Sequence, residues 1–158
     1  MSSQFGFHEF INLAKQLSSA QVASKNTENI LRLVANRVYY GAFHGTKQYL
    51  NLCEQASISN DGVSHEHVWG RFRGSGRGAF HQWRRQVHQA SKALKEFREW
   101  ADYDNPDRLI PADASEIWER FSDLQIAIQK LEEYKPCESA LWILEVSTPA
   151  TPNGPTKE

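Results

Sequence analysis

Hydrophobic residues recur along most of the chain at the three- and four-residue steps typical of amphipathic helices, and strand-like alternation is nearly absent. The first run predicts a helix over about residues 6–22. A second run, free of proline, predicts a long helix from Glu28 to about Cys53, with Thr27 as its N-cap. A polar stretch over 57–63 then predicts a loop. The first half of the chain is therefore expected to form two helices.

The second half shows the same periodicity. A short helical piece over about 65–72 precedes residues 74–78, where three glycines in five residues predict a flexible loop. The next helix covers about 79–101. Its apolar residues are strictly spaced, as for lengthwise packing against other helices: Phe80, Trp83, Val87, Ala90, Leu94, Phe97 and Ala101. A last long helix reaches about Tyr134, and Asp113 with Glu116 predicts a capping box at its start.

The residues after Pro136 are less regular. The apolar run 140–144 fits either a short helix or a strand against the other helices, and 147–158, with three prolines and a glycine, predicts a disordered tail. Four amphipathic helices in sequence favour an all-α fold, an up-and-down four-helix bundle with a short extra element. We expect this bundle to form one domain over residues 1–146.

Composition narrows the class of protein. The 158 residues include 40% hydrophobic residues, enough for a substantial core, and carry a net charge of −1. Two cysteines, Cys53 and Cys137, are too few for a disulfide framework or a structural zinc site, so a reducing compartment fits best. No segment approaches the roughly 18 apolar residues of a membrane span, and the N-terminus lacks a secretory pattern. We therefore expect a cytoplasmic protein without a membrane partner.

The charge is unevenly distributed behind its near-neutral total. Residues 71–98 contain eight basic residues and one acidic residue, whereas 99–158 contain five basic and thirteen acidic ones. Aromatic residues lie between the arginines near the glycine-rich loop, as on RNA-binding surfaces. The candidate RNA-binding residues are Arg71, Arg73, Arg77, Arg84 and Arg85. The alternative is that these arginines pair with the acidic last helix and that Phe80 and Trp83 belong to the core.

One face of the second helix carries candidate chemistry. At 100° per residue, Arg37, Gly41 and His44 share this face, with about 10 Å between Arg37 and His44 along the helix. A guanidinium and an imidazole on either side of a glycine can hold a phosphate, the arginine as a bidentate clamp and the histidine as proton donor or acceptor. The alternative is a polar stripe in a bundle, with Gly41 and Gly45 allowing close helix packing.

Two segments resemble a known family. Residues 36–44, Asn-Arg-Val-Tyr-Tyr-Gly-Ala-Phe-His, resemble the Arg-Ala-Tyr-Tyr-Ala-Ala-Phe-His signature of HEPN-domain proteins. Residues 97–104, Phe-Arg-Glu-Trp-Ala-Asp-Tyr-Asp, resemble the Arg-x-x-Ala-Asp-Tyr-Asp segment that closes a later helix in the same family. With the helical pattern, the resemblance covers about residues 6–135. It implies a helical bundle, often dimeric, of the kind found in prokaryotic toxin and defence systems and in RNA processing.

The resemblance also implies an activity. Many members of the family are metal-independent endoribonucleases with an Arg-x4-6-His motif, which Arg37 and His44 match with six intervening residues. By this resemblance His44 acts on the ribose 2′-hydroxyl or the leaving oxygen, and Arg37 stabilises charge on the phosphate, leaving 2′,3′-cyclic phosphate ends. Tyr40, Gly41 and Asp102 would support the pair. RNA is the implied substrate, no metal or cofactor is required, and two copies in a homodimer would form one cleft.

Some features of the family pattern differ here. Toxin members regulated by a nucleotidyltransferase antitoxin often carry a tyrosine two residues after the histidine, where this chain has Thr46. Asp102 is expected to pair with Arg37 or with Arg98, and Ser64 with His65 matches a Ser-His pair common in related proteins. The competing interpretation is a non-catalytic module that binds a nucleotide or a partner protein, such as an antitoxin or a nucleotidyltransferase.

Overall fold

A computed structural model describes residues 6–21, 27–59, 64–104 and 107–135. This part of the chain contains five helices and no strand: α1 (Phe7–Gln21), α2 (Thr27–Cys53), the short α3 (His65–Trp69), which continues into a 3₁₀ turn (Gly70–Phe72), α4 (Ala79–Tyr103) and α5 (Ala114–Tyr134). The all-α prediction is confirmed, with helix ends that differ from the predicted ones by one or two residues. None of the described helices is long and apolar enough to cross a membrane.

The helix α2 is central to the core because it packs against α1, α4 and α5. The predicted apolar seam of α4 is confirmed: Val87, Ala90, Leu94 and Phe97 are buried, and Phe80, Trp83 and Ala101 pack partly buried against the core. The indole N–H of Trp118 in α5 donates to the hydroxyl of Ser18 in α1 at 2.9 Å. Three helices therefore fix the orientation of α2, which carries the candidate site.

The start of α5 confirms Asp113 as the N-cap. The carboxylate of Asp113 accepts a hydrogen bond from the backbone N–H of Glu116 at 3.2 Å, as in the predicted capping box. The Glu116 carboxylate accepts from the backbone N–H of Ala112 at 2.8 Å, one residue before the N–H that a capping box uses. The bond to Asp113 satisfies a backbone donor that the first turn of a helix leaves unpaired.

The glycine-rich loop contacts helix α4. Residues 73–77 have no regular secondary structure, as predicted. Arg85 donates to the carbonyl oxygen of Gly76 at 2.7 Å, and a Cβ atom at Gly76 would lie closer than 3.0 Å to the ring of His81. Glycine is required at Gly76 for this close contact, and at Gly78 by a φ of 99°.

Three other predictions lie outside the described residues: the loop residues 60–63, the apolar run 140–144 and the tail 147–158. The chain's second cysteine, Cys137, also lies outside the described residues. The reducing compartment and the cytoplasmic location therefore remain predictions.

Helix α1 packs closely against α2 at Gly41. A Cβ atom there would lie closer than 3.0 Å to the side chain of Ile11, which is fully buried. We expect Gly41→Ala to lower the free energy of unfolding by about 1–3 kcal/mol, because a well-packed core has no room for an added methyl group. Chemical denaturation measures the loss. Gly74→Ala is the matched control, because a Cβ there meets no atom within 4 Å, and an equal loss in both variants would contradict the packing argument.

A buried carboxyl in α5 makes stability depend on pH. Glu132 is 7% exposed, its Oε1 has no hydrogen-bond partner within the described residues, and burial raises its pKa from 4.5 to about 7. The folded state thus holds this proton more tightly than the unfolded state does. The resulting stabilisation is fully present below about pH 4.5 and is lost as the pH rises through about 7.

We therefore expect Glu132→Gln to raise the free energy of unfolding by about 1–3 kcal/mol at pH 8 and to change it little at pH 4. Urea denaturation of both proteins at the two pH values measures this difference. The neighbouring Glu133 is 67% exposed in its side chain, so Glu133→Gln serves as the control. A gain of the same size at both pH values would show that the effect does not come from the charge.

Candidate functional site

Arg37 lies on α2 beside the last turn of α4. It lines an open cavity of about 520 Å³ together with Asn36 and Asp102. Its guanidinium donates to the side-chain oxygen of Asn36 at 3.2 Å, and the Asn36 amide donates to the two carboxylate oxygens of Asp102 at 3.0 and 3.2 Å. Asp102 therefore positions Arg37 through Asn36 and not by a direct ion pair.

The direct partner of Asp102 is Arg98, one of the two predicted alternatives. Their side chains are 3.4 Å apart, and Arg98 is 9% exposed. Its guanidinium carbon lies 5.1 Å from the ring centre of Tyr39, 5.9 Å from Tyr40 and 5.6 Å from Tyr103. The Nε of Arg98 is buried and has no hydrogen-bond partner among the residues described. Arg98 thus makes one ion pair and lies near the rings of three tyrosines, and both contacts stabilise its own positive charge.

His44 is half-buried on the same side of α2. Its ring stacks on Phe10 of α1 with 5.4 Å between ring centres. Burial, with a smaller contribution from the charge of Lys47, lowers its pKa from 6.5. The imidazole is therefore neutral at pH 7 and able to accept a proton.

Other side chains of the protein cover the surface of α2 between Arg37 and His44. Gly41 is covered by Ile11 of α1, so its predicted role as a gap for a phosphate is wrong and the alternative of close helix packing is correct. Tyr40 lies between the two ends of the site: its ring is 6.3 Å from Phe10 and 5.9 Å from His65. Tyr40 thus joins the surroundings of His44 to those of Arg98.

His65, at the start of α3, lies close to this surface. Its Nδ1 is 2.5 Å from the hydroxyl of Tyr39, which also accepts from the indole N–H of Trp69 at 3.1 Å. Burial, then the charges of Arg98, Lys95 and His44, lower the pKa of His65. Within the described residues, no three histidine, cysteine or acidic side chains are grouped so that they could hold a metal ion.

The candidate RNA-binding arginines differ in their surroundings and in their ion pairs. Arg84 pairs with Glu54, and the two side chains are only 14% and 13% exposed, so its predicted role as an RNA contact is corrected to that of a structural ion pair. Arg85 donates to Gly76, and Arg73 pairs with Glu66 at 2.5 Å and donates to His88. Arg71 and Arg77 are exposed and form no ion pair within the described residues. The acidic partners are Glu54, directly after α2, and Glu66 in α3, and neither comes from the last helix as the alternative expected.

The structure joins some predicted site residues and adds others. Arg37 and Asp102 are linked through Asn36, and Tyr40 and Asp102 both contact Arg98. The sequence predicted no role for Lys47, and it predicted Arg98 only as one of two partners for Asp102. Lys47 lies about one helical turn after His44, and this spacing could have identified it. Arg98 lies within the segment 97–104 that resembles the family, which could have identified it too.

Comparison with models of known protein families, with curated proteins and with solved structures gives no match. The class that the structure supports is an all-helical protein with an arginine and a half-buried neutral histidine on one side of its central helix. Any narrower class rests on the two resembling segments and on the site's chemistry.

Proposed function

We propose that this protein is a HEPN-type, metal-independent endoribonuclease of toxin or phage-defence type, an up-and-down four-helix bundle acting as a homodimer. The resemblance of residues 36–44 and 97–104 to two HEPN segments supports the family. The all-helical architecture is compatible with it. The contacts at Arg37 and His44 support the chemistry.

The observation that carries the proposal is the state of Arg37. Among the three arginines of this region, Arg32 pairs with Glu28 and Asp104, and Arg98 pairs with Asp102. Arg37 makes no ion pair within the described residues, and its guanidinium donates to the uncharged Asn36. Arg37 lines an open cavity, which suits a guanidinium that binds phosphate oxygens.

The proposed reaction is an internal transfer at one phosphate. The neutral imidazole of His44 takes the proton of a ribose 2′-hydroxyl, and the 2′-oxygen attacks the adjacent phosphorus. The bond from phosphorus to the 5′-oxygen breaks, and that oxygen takes a proton from the imidazolium. The products are a 2′,3′-cyclic phosphate and a 5′-hydroxyl. Arg37 stabilises the charge on the phosphate oxygens.

The separation of the two residues supports the homodimer. Within one chain, Arg37 and His44 are about 10 Å apart along α2, with Ile11 filling the position at Gly41. A second copy facing this side of α2 would bring its own Arg37 toward His44. The molar mass in solution tests this part of the proposal, and a strictly monomeric active enzyme would contradict it.

Cleavage of labelled RNA in excess chelator tests the activity. We expect products with 2′,3′-cyclic phosphate ends. The matched substrate has the same sequence with one 2′-deoxy nucleotide at the cleavage position, and it should resist cleavage there because the nucleophile is missing. Cleavage of both substrates at that position, or ends that carry a 5′-phosphate, would contradict the mechanism.

The second candidate is a non-catalytic module that binds a nucleotide or a partner protein, such as an antitoxin or a nucleotidyltransferase. The stacking of His44 on Phe10 favours it, since a half-buried ring held by an aromatic neighbour also has a structural use. This candidate predicts binding without cleavage in the same assay.

A further inference from the structure

Three nitrogen-bearing side chains surround the ring of Phe43 on α2. The ring of His44 lies 5.2 Å from it, the ring of His65 is stacked on it at 4.2 Å, and the Nζ of Lys47 is 5.8 Å from its centre. Two of these groups come from α2 and one from α3. Phe43 itself is buried, so the three groups lie beside the same buried apolar ring.

Among the described lysines, Lys47 is the buried one. The residue is 8% exposed, and within the described part of the chain no carboxylate lies within ion-pair distance of it. Its ammonium reaches solvent at the end of the buried stem, so the charge is available to a ligand. Desolvation lowers its pKa, and its charge contributes to lowering the pKa of His44.

His65 presents a donor to the same region. Burial raises the pKa of Tyr39 to about 12, so its hydroxyl keeps its proton. Since that hydroxyl accepts from Trp69, its own proton is satisfied by Nδ1 of His65 at 2.5 Å. The ring proton of the neutral His65 is then on Nε2. An N–H group, a neutral imidazole and an ammonium without an acidic partner among the described residues together favour an anion.

We propose that Lys47, His44 and His65 form a phosphate-binding site around Phe43, in which Lys47 supplies the charge. Lys47 is ten residues from Arg37, or about 15 Å along α2. One phosphate cannot contact both, so two cationic positions at this spacing fit a strand with several phosphates better than a mononucleotide. Assigning the phosphate to a nucleic-acid strand rests on the proposed function, whereas the anion site itself does not.

Binding of a labelled, fully 2′-deoxy oligonucleotide tests the site without requiring cleavage. We expect Lys47→Met, which keeps the length and removes the charge, to weaken binding about tenfold and to reduce the slope of log K against log salt by about 0.7. Lys47→Arg should retain most of the affinity. Lys130→Met is the control, because Lys130 lies on the outer side of α5 and pairs with Glu133.

A second measurement needs no variant. Inorganic phosphate added to the wild-type protein should shift the ring-proton NMR signals of His44 and His65 and raise the apparent pKa of both, since an anion stabilises imidazolium. In Lys47→Met these shifts should be lost. If phosphate leaves both histidines unchanged in the wild-type protein, or shifts them equally in folded Lys47→Met, the site is overturned.

The other outcomes separate this site from the proposed function. Lys47-dependent binding without any RNA cleavage would support the phosphate site and contradict the proposed ribonuclease activity. A phosphate response at the histidines of the wild-type protein, together with unchanged oligonucleotide binding in Lys47→Met, would contradict binding of a nucleic-acid strand at this site. It would assign the site to a small phosphate compound.

Discussion

Replacing His44 with alanine should lower the rate of RNA cleavage by about 10²–10⁴-fold, the usual contribution of a general base. The imidazole is half-buried and neutral at pH 7, so its loss removes the group that takes the 2′-hydroxyl proton. Single-turnover cleavage of labelled RNA measures the effect. The acidic limb of the wild-type pH profile of kcat/KM, which reports the enzyme without bound RNA, should lie below pH 6.5, because burial lowers the pKa of His44.

Arg37→Ala should have an effect of about 10²–10³-fold in the same assay, since Arg37 stabilises the charge that forms on the phosphate. Arg37→Lys should recover little of it, because an ammonium cannot form the two parallel hydrogen bonds of a guanidinium. His67→Ala is the matched control: His67 is an exposed histidine close to the site. If either alanine variant cleaves RNA at the wild-type rate while remaining folded, the assigned residue is wrong.

Glu54→Ala should lower the free energy of unfolding by about 3–5 kcal/mol, the largest expected effect on stability. The Glu54 carboxylate pairs with Arg84 and accepts a hydrogen bond from the fully buried Tyr49 at 2.6 Å. Removing it leaves the arginine charge and the tyrosine hydroxyl without their partner in a region little exposed to water. Chemical denaturation measures the loss.

Two comparisons make this stability prediction specific. Glu28→Ala removes an ion pair to Arg32 in which the carboxylate is 70% exposed, and it should cost less than about 1 kcal/mol. Arg84→Met combined with Glu54→Gln should lose less than Glu54→Ala, because the charge is removed and Tyr49 keeps an acceptor. Equal losses for Glu54→Ala and Glu28→Ala would show that burial does not strengthen the inner pair.

The difference between Arg84 and Arg37 shows where sequence reasoning succeeds and fails. Both are arginines on helices near aromatic residues, and both were expected to contact phosphate. Arg84 is held by Glu54, which is thirty positions earlier in the chain, whereas Arg37 meets an uncharged amide. Charge counts along the sequence cannot predict these ion pairs, because the pairs depend on which parts of the fold come into contact.

The sequence by itself determined the helices of this protein, since helix formation depends on spacing, caps and breakers within a few neighbouring residues. It also placed Arg37, Gly41 and His44 on one face of α2. Only the tertiary structure decided that α1 covers that face at Gly41 and that Lys47 is buried with no acidic partner among the described residues. The physical reason is that burial and pairing are set by elements distant in the sequence, and these decide whether a charged side chain stabilises the fold or remains available to a ligand.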